Sequence, residues 1–154
     1  NQAADHVLNN VFIHTLKYKK NNQPTQLTVA QGRSLTINQT YTCPQNDQHL
    51  AVFEFDELCL KPLGVADYQA IAQYYHTVFI RNIPKMTHNE LNQLRRFITL
   101  IDELYQNKNK VIITAETTLD LLIQSNSKHD DEIFAFERCK SRLLEMQTKQ
   151  NVND

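Results

Sequence analysis

A short apolar segment, a long amphipathic one and a second short apolar segment follow each other through residues 76–114. HTVFI (residues 76–80) and KVIIT (residues 110–114) are rich in consecutive apolar, β-branched side chains, as in strands buried on both faces. Between them Leu91, Leu94, Phe97, Ile98, Ile101, Leu104 and Tyr105 recur at three- and four-residue intervals, the spacing of one helical face. Thr87, with Glu90 three residues on, opens that helix with a capping box, and Pro84 stops the strand before it. Strand, helix and strand make a βαβ crossover, whose strands pair in parallel. The chain is therefore predicted to be α/β.

The remaining elements attach to this unit. Residues 4–16 place Ala4, Leu8, Val11, Phe12 and Leu16 on one helical face, and residues 21–24 (NNQP) form a turn. Residues 26–37 read as a β-hairpin, with Leu27 and Val29 alternating before Gly32 and Leu35 and Ile37 after it. Residues 40–47, polar and containing Pro44, read as a loop, and residues 50–55 (LAVFEF) as a strand. Asp67 is the expected N-cap of a helix carrying Tyr68, Ile71, Ala72 and Tyr75. Residues 119–123 read as a short helix, residues 130–146 as a closing helix with an acidic start, and residues 147–154 as a frayed tail. At 154 residues this is one domain.

Composition removes several function classes. Only two glycines occur, Gly32 and Gly64, and neither G-x-x-x-x-G-K-[ST] nor G-x-G-x-x-G is present. Phosphate-cradling loops need such glycines so that backbone amides can approach the phosphates. A net charge of -1 offers no global attraction to nucleic acid. No apolar run approaches a membrane span, and the first residues do not read as a signal peptide. The odd cysteines Cys43, Cys59 and Cys139, at long spacings, fit a reducing cytoplasm better than a disulfide framework. The six histidines are dispersed, with no ligand-spaced pair, so no metal is expected. Nothing local marks Cys59 as a nucleophile.

Two constellations remain. Residues 98–103 (ITLIDE) read like four apolar residues followed by an acidic pair for magnesium, but such a pair must end a strand. The helical period here puts Asp102 and Glu103 inside a helix instead. Arg95 and Arg96 lie mid-helix beside Phe97, and Arg138 and Arg142 are spaced i,i+4 on the last helix. All four are candidate phosphate- or nucleotide-binding residues, because guanidinium forks bind phosphate bidentately. The competing role is ion pairing with Asp102, Glu137 or Glu145.

Several segments carry a resemblance. RRFITLIDELY (residues 95–105), KVIITAE (110–116) and FERCKSRLLEMQ (136–147) resemble the C-terminal region of the ZapE or AFG-like ATPase family, a branch of the AAA+ ATPases. GRSLTI (32–37), FDELC (55–59), PLGVADY (62–68) and HTVFIRNIP (76–84) agree with it in order. The resemblance implies a P-loop-NTPase-like parallel βαβ unit with an added β-hairpin and C-terminal helices, lacking the P-loop itself. That loop and the Walker B element are expected upstream of residue 1, so ATP and magnesium belong to a longer parent and this chain is expected to be inactive alone. It further implies cell division or protein quality control, a homo-oligomer, contact with FtsZ, and a place in the cytoplasm or at the inner membrane. Residues 76–81, the helix, residues 110–114 and Ser141-Arg142-Leu143 also resemble the back half of an AAA+ core of the DnaA type. On that likeness Arg142 is a candidate arginine finger, and Arg81-Asn82 stands where an acidic pair is expected. The alternative is a stand-alone protein-interaction module without nucleotide dependence.

Overall fold

The computed structural model describes residues 18–122 and 130–152; the helix expected over residues 4–16 lies outside them. In chain order the elements are β1 (Lys19–Lys20), β2 (Thr25–Thr28), β3 (Ser34–Ile37), β4 (Gln39–Thr42), β5 (His49–Glu54), α1 (Phe55–Cys59) and α2 (Val65–Tyr74). Then come β6 (Thr77–Ile83), α3 (Leu91–Gln106), β7 (Lys110–Ala115), α4 (Leu119–Leu122) and α5 (Asp130–Val152). One mixed sheet has the order β1-β4-β5-β6-β7, and β2-β3 is a separate hairpin. β5, β6 and β7 are parallel, while β4 and β1 extend the sheet antiparallel.

The expected crossover is β6–α3–β7. A second crossover joins β5 to β6 through α1 and α2, and these strands are also parallel. The hairpin pairs Leu27 with Leu35 as the alternation requires. Its turn holds Gln31 and Gly32 in the left-handed region, which glycine tolerates at little cost.

Five boundaries differ from expectation. The first is the closing helix α5, which runs on to Val152, past the expected end at residue 146 and into the expected frayed tail. Residues 39–42 are strand β4, not loop: Thr and Tyr favour strands, and Thr40 and Tyr41 are buried although the segment reads as polar. β5 stops at Glu54, and Phe55 starts the five-residue helix α1, too short to show periodicity. Asp67 is not the N-cap but the third residue of α2; its Oδ2 accepts from the amide of Gly64, the cap, at 2.9 Å. Buried Asp67 also pairs with Arg33 at 2.9 Å, which ties the hairpin to α2. β6 runs on to Ile83 through a register shift after Ile80.

The described helices pack on one face of the sheet. α3 buries Leu94, Phe97, Leu100, Ile101 and Leu104 against a face that includes Val78, Ile80 and Val111, with Leu91, Ile98 and Tyr105 half-buried at its margins. Leu100 joins the expected stripe. Before α3, the Thr87 hydroxyl accepts from the amide of Asn89 and donates to Glu90, so one turn of 3₁₀ helix precedes the α-helix. α5 adds Phe136, Cys139, Leu143 and Met146 to the same core.

Asn109 closes the crossover. Its buried amide nitrogen donates to the carbonyls of Ala72 (3.1 Å) and Tyr75 (2.6 Å), which holds the end of α2 beside the start of β7. Asn109→Ala leaves buried carbonyls without these donors and is expected to cost about 1–3 kcal/mol in a denaturant melt. A loss below about 0.5 kcal/mol, the range of an inert surface change, would show that these bonds do not hold the junction.

Candidate functional site

In open α/β sheets ligands bind outside the carboxyl ends of the parallel strands. Here β5 ends in Glu54, with Arg81 of β6 opposite it in register, and Thr114 lies near the end of β7. Asn82 follows Arg81 with φ +58, at the register shift between Ile80 and Ile83. An asparagine accepts this left-handed conformation more readily than most residues. The shift aims its backbone amide at the Thr114 hydroxyl (2.9 Å) and its side-chain nitrogen at Glu54 Oε2 (3.0 Å). The buried Arg81 guanidinium stands 3.8 Å from Glu54 Oε1.

Two shallow cavities flank Asn82. One is lined by Glu54, Phe55 and Asp56, the other by Ile83, Pro84, Thr114 and Glu116. Glu116 accepts from the amide of Lys85 at 3.0 Å and donates its own amide to the carbonyl of Ile83 at 2.9 Å. The rim thus holds three carboxylates, but Glu54 is engaged by an amide and a guanidinium and Glu116 by a backbone amide. Among the described residues no group of three or more His, Cys, Asp or Glu side chains is arranged to hold a metal ion.

The four arginines singled out from the sequence are not brought to this rim as one group. Arg142 of α5 makes an ion pair and hydrogen bond with Asp102 of α3, one of the partners expected for it, and its guanidinium lies 4.9 Å over the Tyr105 ring. The Tyr105 hydroxyl donates to Glu145 at 2.8 Å, a bond that raises the pKa of the phenol. Arg96 instead donates to the carbonyl of Cys59, the last residue of α1, at 3.1 Å. Arg96 and Asp102 are six residues apart, roughly 240° around a helix of 3.6 residues per turn, so these contacts leave α3 on different sides. Arg95 and Arg138 are exposed. Asp102 and Glu103 lie within α3, as the helical period requires, and not at a strand end.

Cys59 is fully buried, and that burial pushes its thiol up to about 12; Cys139 behaves alike for the same reason. A thiol so raised is not a nucleophile at neutral pH. The rim residues Glu54, Asn82 and Thr114 were not legible as a group. The available signal is that three apolar strands each end in polar residues, but only their register puts those residues at one height.

The family model described as AFG1-like ATPase matches residues 2–153. Lactation elevated protein 1 homolog B of Danio rerio is 36% identical over an alignment covering 96% of this chain and 34% of that protein. Cell division protein ZapE of Escherichia coli K12 is 38% identical over 68% of this chain and 26% of its own length. The chain thus spans about a quarter to a third of the length of these curated relatives. No solved structure matches it significantly. The family match over nearly the whole chain, with these relatives beside it, establishes that the chain belongs to the AFG1-like ATPase family.

Proposed function

We propose that this chain is a single accessory α/β domain of an AFG1-like ATPase, P-loop-NTPase-like in topology and not itself a site of ATP turnover. ATP and magnesium would be held by the part of the longer polypeptide that lies outside the matched third. The domain would supply packing, subunit contacts and contacts to partners. One observation carries the reading: the carboxyl end of β6 bears Arg81 and Asn82, both directed at Glu54, where magnesium chemistry needs carboxylates open to the ion. The two glycines serve other ends, Gly32 in the hairpin turn and Gly64 as the cap of α2.

By likeness to the cell division protein ZapE, the parent would act in bacterial division. FtsZ and further copies of itself as partners, and a place in the cytoplasm or at the inner membrane face, are what the family resemblance noted in the sequence adds to this proposal. No described helix is long and apolar enough to cross a membrane. The test is calorimetric titration of the isolated chain with Mg-ATP. No saturable binding is expected. An affinity near 1 μM, about -8 kcal/mol, would overturn the accessory role.

A further inference from the structure

The two edges of the five-stranded sheet differ. β1 is two residues long, both of them exposed lysines, and a short, charged edge resists pairing. β7 is six residues long and carries the run Val111, Ile112, Ile113 and Thr114, all β-branched, with no proline and no charged residue between Lys110 and Glu116. Ile112 packs toward the cluster of Tyr41 and Phe79 and Ile113 toward the helices, yet both are only half-buried. Among the described residues only β6 pairs with β7. The backbone amides of Lys110 and Glu116 both turn to that side and donate to the carbonyls of His76 (3.1 Å) and Ile83 (2.9 Å). Backbone groups alternate along a strand, so the amides and carbonyls of Val111, Ile113 and Ala115 point to the outer side.

We infer that β7 pairs antiparallel with β7 of a second copy of this chain, about a twofold axis at Ile113, so that the two sheets become one. This pairing is one of the subunit contacts proposed above and rests on that reading. The residues themselves select the register. With Ile113 opposite Ile113, Val111 lies opposite Ala115, so every outward residue meets an outward residue and the two exchange both hydrogen bonds. A slip by one residue sets outward groups against inward ones and loses them. The same register places Lys110 of each copy opposite Glu116 of the other, in non-hydrogen-bonded pairs, where side chains come closest. The edge is thus self-complementary in charge as well as in backbone, as a twofold interface requires.

The test is sedimentation of the whole chain together with amide exchange. The parent is expected to be a dimer at about 100 μM, with the amides of Val111, Ile113 and Ala115 slow to exchange there and fast after dilution to monomer. Ala115→Pro removes an outward N–H and no bond to β6, a place where an edge strand tolerates proline. It is expected to weaken dimerisation at least about tenfold and to leave the melting temperature of the diluted monomer close to the parent's. Lys110→Glu sets like charges at both pairs and is expected to weaken the dimer by about tenfold, and adding Glu116→Lys to restore it. A dimer that neither variant weakens has its interface elsewhere, which overturns the pairing and leaves the reading of subunit contacts standing. A parent still monomeric at about 1 mM removes both. Outward amides that stay slow in the monomer show the edge taken by the chain itself, which also overturns the pairing. If Ala115→Pro does not fold, the charge pair decides: a Lys110→Glu dimer that Glu116→Lys fails to restore overturns it.

Discussion

Phe97→Ala is expected to destabilise the domain by about 3–5 kcal/mol, the range for emptying an aromatic site in a core. Phe97 is fully buried at the middle of α3, and its ring lies 6.0 Å from that of Phe55 at a tilt of 49°. Phe55 begins α1, directly after the last residue of β5, so the pair links the central crossover helix to the strand beside it. Removing the ring forfeits its transfer from water and leaves a cavity that rigid sheet and helix walls close only in part. In a thermal melt the loss corresponds to roughly 2–4 °C for each kcal/mol in a chain of this size. Phe134→Ala is the control: that ring is 67% exposed, and its loss is expected to stay within about 0.5 kcal/mol. A cost below about 1 kcal/mol for Phe97→Ala would mean that α1 and α3 do not share a core as described.

Phe97 was legible in the sequence, because a 3.6-residue period over sixteen residues is hard to produce by anything but a buried helical stripe. The apolar strands on either side were legible for a similar reason, and with them the parallel pairing of β6 and β7. What failed was short or polar. α1 has five residues and no room for periodicity, and β4 buries Thr40 and Tyr41 inside a stretch whose composition reads as loop. Asp67 is acidic and precedes an apolar run, as a cap does, yet Gly64 takes that place and Asp67 bonds back to it. The carboxyl-end rim was the least legible. Glu54, Asn82 and Thr114 are far apart in sequence and meet only through strand register and the left-handed backbone of Asn82. Arg142 stands between these cases. Its spacing from Arg138 is plain, but sequence does not choose among Asp102, Glu137 and Glu145 as its partner. The packing of α5 on α3 does.

Arg142→Ala, made in the longer polypeptide that also carries the nucleotide-binding part, separates the two roles proposed for this residue. An arginine finger stabilises charge spread over the transferring phosphoryl group, and its removal is expected to lower turnover by about 10³-fold or more. A brace between helices does less. The guanidinium and the Asp102 carboxylate are each about a quarter exposed, so their pair is worth roughly 0–1 kcal/mol, with a further 0.5–1 kcal/mol or so from the Tyr105 ring. Arg142→Lys refines the comparison, since lysine keeps the charge beside Asp102 but loses the planar fork. The finger role predicts that lysine rescues stability and not turnover; the brace predicts that it rescues both. Asp102→Asn adds the reciprocal view, because it releases the guanidinium without removing it. As a brace, Arg142 has its loss matched by that of Asp102, and activity falls only as far as the melting temperature does. As a finger it does not: nucleotide affinity and melting temperature stay close to the parent for Arg142→Ala while turnover collapses, and Asp102→Asn retains most of the rate. Turnover that merely tracks stability across the three variants assigns Arg142 to the α3–α5 contact alone.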